Sequence, residues 1–247
     1  MSPRHDRPVA LITGASRRVG ASIARTLHAA GYDLALHYRH SDAEMHTLCA
    51  QLETLRAGST LALQADLMQV PALRSLVEDT HAHYGRLDAL VNNAAAFSAV
   101  ALDATTPELW DEHMAVNVRA PFFLAQAAHA YLRASHGAIV NLTDIYADRP
   151  RSDLLAYAAS KAALVSLTRG LASALAPEVR VNAVAPGAIL WPDVVSSGEL
   201  RASLMARTPL QRTGTLDEIA NAVLWLVRDA TYCTGEVLHV DGGRGIS

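Results

Sequence analysis

Tyr157 and Lys161 are the pair whose residue types and spacing most directly suggest chemistry. They stand four residues apart in an alanine-rich stretch that reads as a helix from about Ala156. That spacing puts both side chains on one helical face, one turn apart. An ammonium close to a phenol favours the phenolate, so Lys161 is expected to lower the tyrosine pKa from its usual value of about 10. A phenol tuned in this way gives and takes a proton near neutral pH. Pairs of this kind also occur on ordinary helix surfaces, so the meaning rests on the elements that position them.

The first such element is the apolar run Ala138-Ile139-Val140, which reads as a buried strand ending at Asn141. A polar loop containing Thr143, Asp144 and Pro150 leads from it into the helix. Earlier in the chain, Val9 to Thr13 reads as a strand followed by Thr-Gly-Ala-Ser-Arg-Arg-Val-Gly and then a helix that Gly31 stops. A strand, a glycine-bearing turn and a helix N-terminus make a pyrophosphate site, because unpaired N–H groups and the helix dipole face the anion. Gly14, Arg17, Arg18, Val19 and Gly20 form that turn, with Arg18 where a middle glycine would fall in T-G-x-x-x-G-x-G. The second strand, Leu34 to His37, is followed by Tyr38, Arg39, His40 and Ser41, with Asp42 placed to cap the next helix. No acid stands at this strand end to meet a ribose 2′-hydroxyl; a fixed cation, an imidazole and a hydroxyl suit a 2′-phosphate, so the expected cofactor is NADPH.

The third strand, Leu61 to Gln64, leads to Asp66 and Leu67. Asp66 can accept from an adenine amino group or cap the helix after it. After the fourth strand, Asp88 to Val91, come Asn92-Asn93-Ala94-Ala95, small residues and amides that let backbone approach a flat ring. Phe97 follows, either an aromatic surface for a ligand or a cap on the core. A long helical stretch from about Pro107 to Ser135 carries Asn117 among apolar neighbours, where a buried amide serves either a structural bond or a water in proton relay. A sixth strand, Val179 to Val184, precedes Pro186, Gly187 and Ile189. Residues 188–208, with Trp191, read as a lid over the site. A helix from Asp217 to Val227 and a strand from Glu236 to Val240 complete the pattern. Strands alternating with helices predict right-handed βαβ units and a parallel sheet covered on both faces. Ligands of such sheets bind beyond the carboxyl ends of the strands, where Gly14, Arg39, Asp66, Asn93 and Asp144 all fall.

Composition agrees with a single domain over residues 1–247. Half the residues are apolar and the net charge is −3, which removes the case for a disordered chain or a nucleic-acid binder. Cys49 and Cys233 lack metal-type spacing and read as reduced thiols of a cytoplasmic protein, and no run is long enough to span a membrane. His81 and His83, two apart on a helix, read as a solvated face, and no metal is expected.

With the glycine turn, N-N-A, Y-x-x-x-K and P-G in this order, the chain resembles the short-chain dehydrogenase/reductase family along its length. The resemblance implies a doubly wound, Rossmann-type sheet of seven parallel strands and hydride transfer with NAD(P)H. It implies Tyr157 as proton donor, Lys161 on the nicotinamide ribose, Asn117 in a proton relay, and a homotetramer or dimer packed through long helices. Thirteen residues before the tyrosine, where that family normally keeps a serine, this chain has Asp144. A hydroxyl donates to a carbonyl being reduced; an ionised carboxylate only accepts, and suits a substrate rich in N–H donors. This departure resembles the pteridine reductase branch, as do Arg17-Arg18, His37-Tyr38-Arg39-His40-Ser41 and the stretch ending at Phe97. By that likeness Arg18 reaches cofactor and pterin, Phe97 stacks on the pterin, and the substrate is a dihydropterin or dihydrofolate. The alternative is a carbonyl reductase on 3-oxoacyl groups, with Thr143 supplying the hydroxyl.

Overall fold

The computed structural model describes residues 6–189 and 206–246. Trp191 and most of the expected lid lie outside the described residues. Strand β1 (Val9–Ile12) shows how the architecture follows from the sequence: four consecutive buried residues alternate, Val9 and Leu11 into one core, Ala10 and Ile12 into the other. A strand buried on both faces needs a layer of helix on each side.

Six more strands join it: β2 (Asp33–Tyr38), β3 (Thr60–Gln64), β4 (Ala89–Asn92), β5 (Ala138–Leu142), β6 (Arg180–Pro186) and β7 (Val237–Val240). They form one sheet in the order β3-β2-β1-β4-β5-β6-β7, and every pairing is parallel. Helices α1 (Arg18–Ala29) and α2 (Asp42–Leu55) line one face; α3 (Val70–Tyr84) lines the other. The expected stretch from Pro107 to Ser135 is helical throughout but not uniform. It divides into α4 (Pro107–Met114), a π-helical turn (Ala115–Arg119) and α5 (Ala120–Ser135). Helix α5 joins α3 on its face, together with α6 (Leu155–Leu175), while α7 (Leu216–Leu224) joins α1 and α2.

The sheet order reverses between β1 and β4, which opens a crevice at their carboxyl ends. One local expectation is corrected: Asp42 is the first residue of α2 rather than its cap, and Ser41 at the cap position makes no side-chain capping bond.

Candidate active site

The turn after β1 is built for close approach. Gly14 has φ +63°, and a Cβ there would lie 2.9 Å from the Ala94 Cα; a Cβ on Gly20 would run into the Gly14 carbonyl oxygen. Glycine is therefore required at both positions. Residues of the N-N-A segment hold this turn from behind. The Asn93 amide donates to the carbonyls of Thr13 and Gly14, both at 2.9 Å, and the Thr13 hydroxyl accepts from the backbone of Asn93 and Ala94. The Asn93 side chain thus clamps the cradle, leaving its neighbours' backbone to face a cofactor ring. His37, the last residue of the expected second strand and the first of the His-Tyr-Arg-His-Ser stretch, is a second clamp. Its Nδ1 accepts from the Gly14 N–H at 3.1 Å and its Nε2 donates to the Ala65 carbonyl at 3.1 Å. Burial pushes this imidazole down to about 4, so it is neutral and keeps that pattern of donors and acceptors.

Arg18 holds a left-handed backbone, φ +50°, at the place a middle glycine would take. Left-handed geometry costs a residue with a Cβ roughly 1–2 kcal/mol. Because glycine loses more chain entropy on folding, about 0.5–1 kcal/mol, Arg18→Gly is expected to gain less than the full strain. We predict a melting temperature raised by about 2 °C together with a higher KM for NADPH. Thermal unfolding and steady-state kinetics on the same variant check both halves. Arg17, exposed, lies 3.6 Å from Glu44 of α2.

Beyond β2 the structure revises the reading. Arg39 and Asp66, expected to hold opposite ends of an adenosine, pair with each other at 2.9 Å. The second Asp66 oxygen accepts from the Met68 N–H, so its carboxylate is occupied; it does not cap α3, whose cap position is Gln69. Tyr38 and Leu67 are buried in the core and offer only backbone to a ligand, whereas His40 is exposed and Ser41 half-exposed. At the far side, Gly187 lies so near Asp241 that a Cβ would stand 2.6 Å from its Cα, and Ile189 is buried.

The reacting centre lies at the end of β5. The Tyr157 hydroxyl donates to one Asp144 carboxylate oxygen at 2.9 Å, and the other accepts from the Tyr146 N–H at 2.9 Å. Burial raises the Asp144 pKa, with the bonds from Tyr146 and Tyr157 pulling against it. Tyr157 departs from expectation in sign. Burial first, then the charge and bond of Asp144, push its pKa up rather than down. Lys161 lies 5.7 Å from the tyrosine ring, fully buried, donating to the Leu142 carbonyl at 2.7 Å. Burial drives that ammonium down to about 8. An ammonium at this range is outweighed by a carboxylate in direct contact, so the phenol keeps its proton. Thr143, the alternative hydroxyl, is buried and donates to the Val184 carbonyl at 3.0 Å, turned into the sheet.

Asn117 sits in the π turn, and its side chain is fully engaged. Its oxygen accepts from the Ala96 N–H at 2.8 Å; its amide donates to the Ala96 carbonyl and the Ser160 hydroxyl. Ser160 in turn donates to the Tyr157 carbonyl at 2.7 Å. The asparagine side chain therefore fixes the loop before Phe97 against the tyrosine's helix. Phe97 is 61% exposed and meets the Tyr157 ring edge-on at 4.9 Å between centroids. The exposed Phe97 ring is thus held against the Tyr157 phenol. The role of Ser160 has no signal in the sequence because a hydroxyl inside a helical run carries no motif of its own, and Thr13 enters it only as the first residue of the glycine turn. Among the described residues no group of His, Cys, Asp or Glu could hold a metal ion, and no helix is long and apolar enough to cross a membrane. His81, expected on a solvated face, instead stacks on Tyr131 at 4.0 Å.

A family model described as enoyl-(acyl carrier protein) reductase matches residues 14–244. The chain belongs to the short-chain dehydrogenase/reductase family. It is an oxidoreductase, and its relatives within the family divide by substrate. The protein named ketoacyl reductase 2 of the granaticin polyketide synthase, from Streptomyces violaceoruber, is 40% identical, with 96% of each chain covered. Pteridine reductase 1 of Leishmania tarentolae is 33% identical, with 97% of each covered. A blue fluorescent protein from a metagenomic library, solved with NADPH, superposes with a TM-score of 0.90 at 38% identity, covering 96% of this chain and 97% of that one.

Proposed function

We propose that this short-chain reductase is an NADPH-dependent pteridine reductase, taking a dihydropterin or dihydrofolate to its tetrahydro form. The observation that carries the reading is the Asp144 carboxylate in contact with the Tyr157 hydroxyl, with the Thr143 hydroxyl turned away. A carboxylate there repels a carbonyl oxygen that is gaining negative charge, but accepts from ring and amino N–H groups. A nicotinamide cofactor held there would supply the hydride, with C6 of the pterin as its acceptor. Tyr157, protonated and buried, delivers the proton to N5. Phe97 offers its exposed face to the pterin ring, and Arg18 at the mouth of the cradle reaches both ligands.

The cofactor would be held by the Gly14–Gly20 turn, the backbone of Asn93, Ala94 and Ala95, the Pro186–Ile189 segment and Lys161. Arg39, His40 and Ser41 would meet a 2′-phosphate. The Arg39–Asp66 pair is exposed, and surface pairs of this sort are worth about 0–1 kcal/mol, so a phosphate displaces the carboxylate readily. A charge-assisted hydrogen bond contributes roughly 1.5–3 kcal/mol. Arg39→Ala is therefore expected to raise the KM for NADPH by about tenfold or more, leaving that for NADH nearly unchanged. The ratio of the two kcat/KM values measures it.

The test of the activity is NADPH oxidation with dihydrobiopterin, dihydromonapterin and dihydrofolate; turnover of none ends the reading. A second reading, a 3-oxoacyl reductase, is favoured by the 40% identity to a protein named as a ketoacyl reductase. It requires a hydroxyl donor that neither Asp144 nor Thr143 provides in this geometry. We further propose a cytoplasmic homotetramer. A groove between α4, the π turn, α5, α6 and the loop before α3, with Met114, Val118, Phe122, Leu167 and Met68 as its apolar lining and Asp111 and Arg119 beside them, supports self-association through these helices.

A further inference from the structure

His113 is a fully buried imidazole on the last turn of α4, and nothing in the proposed reaction uses it. Its Nδ1 lies 2.7 Å from the Leu109 carbonyl. A carbonyl only accepts, so Nδ1 carries the proton and, in the neutral ring, Nε2 is left as a lone-pair acceptor. Nε2 is buried and has no hydrogen-bond partner. Leaving such a group unmet is unfavourable, and an apolar side chain of the same size would fill the position without that penalty. The ring packs against the catalytic phenol, 6.2 Å between centroids at 77°, on the helix that clamps the tyrosine through Asn117 and Ser160. Two residues after His113 the helix enters the π turn at Ala115, a wider register that carries Asn117. An acceptor shut away from bulk solvent needs a donor inside the wall, and a water molecule is the smallest that can supply one.

We propose that His113 holds a buried water molecule in the wall behind Tyr157, and that it is a positioning residue for the tyrosine through that water. The water donates to Nε2 and to a carbonyl of the π turn. It joins α4 to the turn carrying Asn117, so the ring that packs on Tyr157 and the amide that holds its helix move as one body. The inference is independent of which substrate the enzyme reduces.

Two measurements decide it. A crystal structure of the wild-type protein at about 1.5 Å resolution is expected to show an ordered water about 2.7–3.2 Å from His113 Nε2. Nε2 facing only apolar atoms would overturn the proposal. This arm needs no substrate, so its result stands apart from the pterin assay. The second is kinetic: His113→Phe keeps the aromatic packing and removes the acceptor. Its kcat is expected to fall about tenfold with the KM for NADPH unchanged, and His113→Gln, which restores an acceptor, to recover activity to within about threefold of wild type, by analogy with other positioning contacts. If His113→Phe keeps kcat within about twofold and gains stability, the nitrogen is only an unmet core group and the proposal fails. Should His113→Phe not fold, His113→Gln and the crystal structure still decide.

Discussion

Tyr157→Phe lowers kcat by roughly 10²–10⁴-fold and leaves the KM for NADPH within about threefold. The substitution removes one oxygen that donates to Asp144 and touches none of the cradle residues around Gly14. Loss of a general acid at an otherwise intact site therefore appears in kcat alone, and single-turnover kinetics at saturating NADPH isolate it. The pH profile of the wild-type enzyme follows from the same contact. Burial and the Asp144 charge hold the phenol protonated well above its ordinary range, so activity is not lost to tyrosine ionisation between pH 7 and pH 9. Lys161, held at about 8 by burial, titrates inside that interval, so a steep loss of kcat that persists unchanged in Lys161→Arg would contradict the assignment of Tyr157 as a donor kept protonated by its neighbours.

The second large effect lies at Asp144. Replacing it with serine exchanges an acceptor for a donor beside the hydride acceptor. Pterin reduction is expected to fall by about 10–150-fold, the worth of a charge-assisted hydrogen bond, while reduction of a 3-oxoacyl thioester rises. The ratio of kcat/KM values for the two substrates measures the exchange. A wild-type enzyme that already prefers the thioester, and loses it on Asp144→Ser, would defeat the pterin reading. Stability gives an independent check through Asp144→Asn. The folded-state pKa of Asp144 is raised, so the folded protein binds this proton more tightly than the unfolded chain does. That contribution is fully present below the unfolded carboxylate value and is lost as pH rises through the raised one. Asparagine carries no charge to desolvate. The variant should therefore melt higher than wild type at pH 7, with the gain shrinking as pH falls toward 4.

The sheet, its parallel sense and the placing of the site at the strand ends could be read from alternating apolar runs, because burial on both faces leaves few other solutions. Gly14, Gly20 and the Tyr157–Lys161 pair were legible for a similar reason: each is a residue type that few others can replace. What stayed hidden were pairings between segments far apart in the chain. Arg39 and Asp66 were read as two separate contacts to one ligand, when 27 positions of chain bring them within 2.9 Å of each other. The sign of the Tyr157 shift was missed because helical spacing announces Lys161, whereas the competing carboxylate arrives from another element. The π turn was invisible since its residues, Ala-Val-Asn-Val-Arg, suit a helix of ordinary pitch equally well.

The imidazole of His37 ties the turn after β1 to the segment after β3 across an intervening strand. A leucine or isoleucine at that position would preserve every hydrophobic pattern in the sequence and still sever the brace. The diphosphate end and the adenine end of a dinucleotide would then be gripped by parts less firmly tied together, felt both as looser nucleotide retention and as a lower melting temperature, since the Gly14 N–H and the Ala65 carbonyl lose their partner.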